Sequence, residues 1–296
     1  MILALSNAWS LAASLAAAAS YAAMAALTAS RGRRQLQRQA SQAPSGRLSM
    51  PGASNTRAPS DRTTTTTSLL AVAWVCHAIA LAVGLLGEPA QFGFAPALSI
   101  TVWLVLTVYA IESHLLPQLQ AHWALSALGG IAVVMALLFP GTAYPTIASP
   151  WLPLHWALGL ASYGLFAAAV VHGWLMSRVE RAMRLAETGH TGVPLMTLER
   201  LTFRFVEAGF MLLSATLLVG WVFAEQLYGP RLSGMWNHKT VFSILAWATF
   251  ALLLIGRARL GWRGSKAVRV LYLGSGLLLL GYVGSRFVLE VILRRA

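Results

Sequence analysis

Hydrophobic residues in this chain come in long unbroken runs rather than in alternation with polar ones. Runs long enough to cross a bilayer lie at 2–29, 68–87, 94–112, 122–139, 154–177, 205–226, 240–256 and 268–292. A membrane-crossing helix needs about 20 apolar residues, with a range of about 17–25. The fourth and seventh runs are near the short end, and the seventh is the poorest candidate for an independent crossing. A transmembrane barrel shows short alternating segments instead. The pattern predicts an all-α, polytopic transmembrane helix bundle of about eight spans.

Between the first and second runs the pattern breaks. Residues 30–67 are rich in Ser, Thr, Gln, Pro and Arg, with five consecutive threonines at 63–67. Such a low-complexity stretch has too little apolar surface to bury. The chain is therefore expected to divide into an N-terminal transmembrane helix at 1–29, a disordered basic cytoplasmic linker at 30–67 and a transmembrane domain at 68–292. The arginines near the first run follow it, which is the wrong flank for a cleaved signal peptide. The run is expected to be retained, its Ala and Ser residues small enough for close helix packing.

Composition agrees with a bilayer as solvent. Hydrophobic residues make up 57% of the chain and charged residues 10%, against about 25% charged in soluble domains. The formal net charge of +13 invites a nucleic-acid partner, but its distribution argues for no nucleic acid. Segments 30–67, 178–204 and 257–269 hold seven, five and five Lys and Arg residues, 17 of the 22 in the chain. They fall on one side of an eight-helix weave, and the positive-inside rule makes that side cytoplasmic. Both termini are then periplasmic, and the loops at 88–93, 140–153 and 227–239 face the outer side. One cysteine, Cys76, excludes a disulfide framework or a thiolate metal cluster within the chain.

Candidate chemistry rests on histidines, because ionisable groups inside a membrane are costly and mark functional sites. His77 lies in the middle of the second run. It is either a neutral imidazole hydrogen-bonded to a neighbouring helix or a haem-iron ligand, a role that needs no buried net charge. His155 opens the fifth run, beside Trp156 and two turns before Ser162-Tyr163. It is either a wetted interfacial residue or an axial ligand at the outer leaflet, beside tryptophans able to stack on a porphyrin. His238, in Trp236-Asn237-His238-Lys239, shares the outer side, and Lys239 and Arg231 are cations suited to haem propionates. An interfacial aromatic belt accounts for Trp151, Trp156 and Trp236 equally well. His114, His122, His172 and His190 are expected to be structural. About half the membrane thickness separates His77 from His155, so the two are not expected to share one haem. Nothing resembles a proton-relay series or paired broken helices, which leaves a transporter weakly supported.

Several segments follow one another in a familiar order and spacing. They are Val75-Cys76-His77-Ala78-Ile79-Ala80-Leu81, His155 with Ser162-Tyr163, Leu198-Glu199-Arg200, Lys239 through Trp247, Gly261-Trp262-Arg263-Gly264 and Tyr282-Val283-Gly284-Ser285-Arg286. Over residues 68–292 the chain resembles the cytochrome c assembly membrane proteins, the CcsA/CcmC/CcmF superfamily. Within it the likeness is to YpjD-type inner-membrane proteins, relatives of HemX. The resemblance implies a haem-binding protein that assists cytochrome c maturation or haem handling at the outer face of the bacterial inner membrane. It implies haem b as cofactor, with His77 and His155 as axial ligands of the iron. Trp156, Trp236, His238 and Lys239 join the expected cofactor site. Apocytochrome c and thiol-reducing assembly proteins are the implied partners.

The departures point to an accessory role. The family's Trp-Asp-Pro-Lys-Glu-Thr-Trp stretch stands here as Trp236-Asn237-His238-Lys239-Thr240-Val241-Phe242. The family's second transmembrane histidine falls near Ile255, and its second outer-face histidine near Leu289 to Leu293, where there is none. His238 is the candidate substitute. No protein nucleophile for haem attachment is evident, so no catalytic residue is assigned. The alternative is a regulatory or scaffolding membrane protein, acting on haem biosynthesis or another membrane complex through segments 178–204 and 256–269.

Overall fold

The computed structural model describes residues 9, 11–27, 30, 60–87, 91–115, 122–143, 151–185, 194–224 and 238–293. Among these, each apolar run coincides with a helix: α1 (Leu11–Leu27), α2 (Ser60–Leu86), α3 (Phe94–Leu115), α4 (His122–Leu138), α5 (Trp151–Arg184), α6 (Leu195–Val222), α7 (His238–Leu260) and α8, which opens at Gly264 and runs to Ile292. Six of them, α2, α3 and α5 to α8, are long and apolar enough to cross a membrane, while the apolar parts of α1 and α4 are shorter. The molecule is an all-α polytopic bundle.

Two boundaries differ from the sequence expectation. The linker was expected to reach residue 67, but α2 begins at Ser60 and takes in the threonine run. Extending a formed helix costs far less than nucleating one, so the apolar segment carries helix back through residues that would not start one. The seventh run also becomes a full crossing. Its helix gains His238-Lys239 at one end and Arg257 to Leu260 at the other, reaching 23 residues. Conversely, α5 has 34 residues, about 51 Å at the usual rise, against a hydrocarbon core of about 30 Å. Its last turns carry Arg178, Arg181 and Arg184, charges suited to a helix end outside the apolar layer.

Lipid tails are as apolar as Leu, so tight packing rather than apolar burial holds such helices together. Helix α5 is the centre, packed against α3, α6 and α8, and α7 packs on α8. Rings of Phe166 and Phe250 stack at 3.8 Å, with Gly209 and Gly274 making room for them. Large apolar side chains such as Ile131, Met211, Ile255 and Leu273 face outward, as a lipid-solvated surface requires.

The two ends of the bundle are closed differently. At one end β1 (Gln91–Phe92) pairs antiparallel with β2 (Thr142–Ala143). This ties together two connections that the weave puts on the same side. At the opposite end Glu199 on α6 lies 4.0 Å from Arg257 and 3.7 Å from Arg263. The Arg257 guanidinium covers the Phe203 ring at 3.5 Å. The Trp262 ring lies directly on Gly256. Gly261 and Gly264 take φ of 62° and 56°, the left-handed values glycine adopts most readily, and so turn α7 into α8. Two segments behind the family resemblance, Leu198-Glu199-Arg200 and Gly261-Trp262-Arg263-Gly264, meet in this knot.

Candidate functional site

A cavity of about 720 Å³ opens between α3, α5, α6, α7 and α8. Cofactor and small-molecule sites occupy about 300–1,000 Å³. Leu152, His155, Trp156, Gly159, Leu160 and Tyr163 form its α5 wall. Their three- and four-residue spacing is one face of a helix. The Trp156 ring stacks on Phe92 at 4.8 Å, so the second residue of β1 extends the aromatic wall.

His155 is held in a defined tautomer. Its Nδ1 lies 3.1 Å from the backbone oxygen of Thr216 on α6. A carbonyl only accepts, so Nδ1 carries the proton and donates it. The lone pair is then on Nε2. A backbone-anchored Nδ1–H of this kind is the usual support for a metal-binding imidazole. Gly220 lets the ring lie close to α6, since a Cβ there would stand 3.1 Å from His155 Cε1.

The far wall comes from α8, whose regular turns are interrupted. Residues Leu280–Gly284 and Val288–Ile292 are π-helical, with Ser285–Phe287 between them. Single-turn π insertions occur frequently at functional sites. The Tyr163 hydroxyl donates to the Leu278 carbonyl just before the first insertion, locking α5 to α8 there. Gly281, Tyr282 and Arg286 then face the cavity, as does Lys239 from the first turn of α7. The Lys239 Nζ stands 5.7 Å from the centre of the Tyr282 ring. The cavity thus combines apolar and aromatic walls, one imidazole with a defined lone pair and two cations. That donor set suits a flat apolar ligand with a metal centre and an anionic edge, which is the chemistry of haem.

Of the residues expected from the sequence, His155, Trp156 and Lys239 come together around this cavity. His238, at the head of α7, is exposed and is not among the lining residues. Trp236 lies outside the described residues. His77 is not among the lining residues either. It is 1% exposed, with Nδ1 3.3 Å from the Tyr21 hydroxyl and Nε2 2.8 Å from the Ser99 hydroxyl. In either tautomer one nitrogen donates and the other accepts. This arrangement is that of the neutral, hydrogen-bonded reading of His77.

Two features went unrecognised in the sequence. Arg286 and Tyr282 line the cavity, and the available signal was a cation within the last apolar run. The other is a buried pair, Glu112 on α3 and His172 on α5, with Oε2 and Nε2 2.9 Å apart. His172 Nδ1 donates to the Ala168 carbonyl at 2.8 Å. The two atoms are at ion-pair distance but not aligned as a hydrogen bond.

A family model described as Cytochrome C assembly protein matches residues 63–293. The chain belongs to the cytochrome c assembly protein family. The match runs from within α2 to the end of α8 and so takes in the whole cavity. Inner membrane protein YpjD of Escherichia coli is 30% identical over 234 residues, covering 75% of this chain and 85% of that protein. Cytochrome c biogenesis protein CcsA of Cycas taitungensis is 26% identical over 188 residues, 58% of this chain and 57% of its own length. CcsA of Thermosynechococcus vestitus is 24% identical over 207 residues, 64% of this chain and 62% of its own. No solved structure matches the chain. With six helices among the described residues long and apolar enough to cross a membrane, this member of the cytochrome c assembly family is a multi-pass membrane protein.

Proposed function

We propose that this protein holds haem b in the cavity between α5, α6, α7 and α8, and assists cytochrome c maturation or haem handling at the outer face of the inner membrane. The observation that carries the reading is the His155–Thr216 hydrogen bond at 3.1 Å, which leaves the Nε2 lone pair on a residue lining a cavity of cofactor size. His155 acts as axial ligand. Trp156 and Phe92 form an aromatic wall, and Lys239 and Arg286 meet the propionates. Bound haem supplies the vinyl groups to which the thiols of an apocytochrome are joined. The chain's own residues bind, orient and keep water from the ring. Its partners are an apocytochrome c and a thiol-reducing protein, both acting on the periplasmic side, where both termini also lie. The YpjD relative, named as an inner membrane protein, supports an inner-membrane location.

The test is to express the protein with haem available, purify it in mild detergent and record oxidised and reduced absorption spectra. A Soret band with sharp reduced bands is expected. His155→Ala abolishes or shifts it, while His77→Ala retains it. Wild-type protein that takes up no haem, even when supplied, overturns the proposal and favours a regulatory role in the same family.

A further inference from the structure

The turn from α7 into α8, at the end of the bundle away from the cavity, gathers positive charge. Residues 257–269 hold Arg257, Arg259, Arg263, Lys266 and Arg269 and no carboxylate. Glu199 takes up two of these cations, Arg257 and Arg263. Glu180 of α5 accepts from the Ser265 hydroxyl at 3.3 Å and rests against Gly264. Among the described residues, Arg259, Lys266 and Arg269 make no ion pair. The segments outside the described residues do not offset them. On the same side of the weave, residues 31–59 carry six arginines and no carboxylate, and residues 186–193 a single carboxylate, Glu187.

These three cations continue apolar helix faces. On α7, Leu252, Ile255 and Arg259 follow at spacings of three and four, and on α8 so do Lys266, Arg269 and Leu273. Each triplet is one face of a helix, and all six side chains are exposed. Helices α7 and α8 run antiparallel, packed through Phe250 on Gly274. The cations of both therefore lie toward the turn and the apolar residues deeper in the bundle. Arg269 lies five residues into α8, about 7.5 Å at the usual rise, on a surface that faces hydrocarbon. Its Nε donates back to the Ser265 carbonyl at 3.4 Å, so the side chain reaches toward the head of the helix as snorkelling side chains do. Lys266 Nζ stands 4.3 Å from the centre of the Trp262 ring, which is itself fixed on Gly256. Two cations are thus held in place where the apolar surface ends.

We propose that this edge of α7 and α8 is a binding site for an anionic phospholipid. Lys266 and Arg269 hold the phosphate, and Arg259 adds charge from across the turn. An acyl chain lies along Ile255, Leu252 and Leu273. Charge complementarity selects a headgroup with net negative charge, because a zwitterionic lipid offsets its phosphate with its own ammonium. An acidic protein partner would meet the cations but has no use for apolar side chains one turn deeper on the same faces. The site lies apart from the cavity and stands whether or not haem binds there.

The test titrates the purified full-length protein in mild detergent with phosphatidylglycerol and with phosphatidylcholine of the same acyl chains. Bound lipid is counted by native mass spectrometry. Wild type is expected to prefer phosphatidylglycerol by about tenfold or more, since each basic side chain near an anionic headgroup is worth about fivefold. Lys266→Gln combined with Arg269→Gln removes the preference. Arg181→Gln combined with Arg184→Gln, which lowers the charge of the same end of the bundle equally, leaves it in place. Should the first double variant fail to fold, Arg269→Gln alone is expected to lower the preference about fivefold. Equal wild-type affinity for the two lipids overturns the proposal. So does an equal loss in both double variants, which would mean diffuse attraction to net charge rather than a site.

Discussion

His77 and His155 are both set into the bundle, yet different groups meet their ring nitrogens. His77 is enclosed by α1, α2 and α3, with a hydroxyl at each nitrogen. His155 has one backbone carbonyl at Nδ1 and a cavity beside it. An imidazole has two nitrogens, and in a water-free interior each needs a partner. Where the fold supplies two, the residue is structural. Where it supplies one, the other nitrogen remains for a ligand. The Glu112–His172 pair is buried like His77, with Nδ1 donating to the Ala168 carbonyl and Nε2 set 2.9 Å from the Glu112 carboxylate.

The contrast is broken most severely at the closed pairs. Glu112→Leu leaves His172 Nε2 facing apolar side chains, and removing one member of a buried pair costs about 3–5 kcal/mol. A large drop in melting temperature in detergent is expected, with Glu112→Gln milder because it keeps a hydrogen-bonding group. An Glu112→Leu protein as stable as wild type means the pair carries no load. His77→Ala comes next. It strips partners from the Tyr21 and Ser99 hydroxyls, at a cost of about 1–3 kcal/mol, and haem uptake continues. Loss of the haem spectrum in a folded His77→Ala protein would return His77 to the list of ligands.

Two smaller changes sharpen the comparison from the other side. Gly220→Ala puts a Cβ 3.1 Å from His155 Cε1 and 3.5 Å from Nδ1, displacing the ring from Thr216. Disturbing such a supporting contact weakens metal binding about tenfold, read by absorption titration, while the helix itself gains from Ala over Gly. Unchanged affinity here counts against His155 as the ligand. Thr107→Val removes the acceptor 2.8 Å from Trp74 Nε1. About 1 kcal/mol of stability is expected to go, with no change in haem affinity, and a shifted haem spectrum would couple the two regions after all.

Much of the fold was legible because membrane helices obey a local rule. Every backbone polar group in lipid must be satisfied within its own segment, so an apolar run of sufficient length is a helix. All eight runs correspond to helices among the described residues. Boundaries were less legible, since polar residues at Ser60 and His238 extend helices that apolar neighbours nucleate. Within the site, His155, Trp156 and Lys239 were found from their residue types and their place at span ends. Arg286 carried a readable signal, a charge in an apolar run, but nothing local linked it to Lys239.

By itself the sequence determined the helices, their order and the family, since these follow from run lengths and from motifs that need no knowledge of neighbours. Which histidine is closed and which is open was decided only in the tertiary structure. The partners of His77 lie 56 and 22 residues away, and that of His155 lies 61 away. Such pairings depend on how each helix is rotated and on which helix stands beside it. Two π-helical turns in α8 set that rotation for Tyr282 and Arg286, and no hydrophobic pattern encodes them.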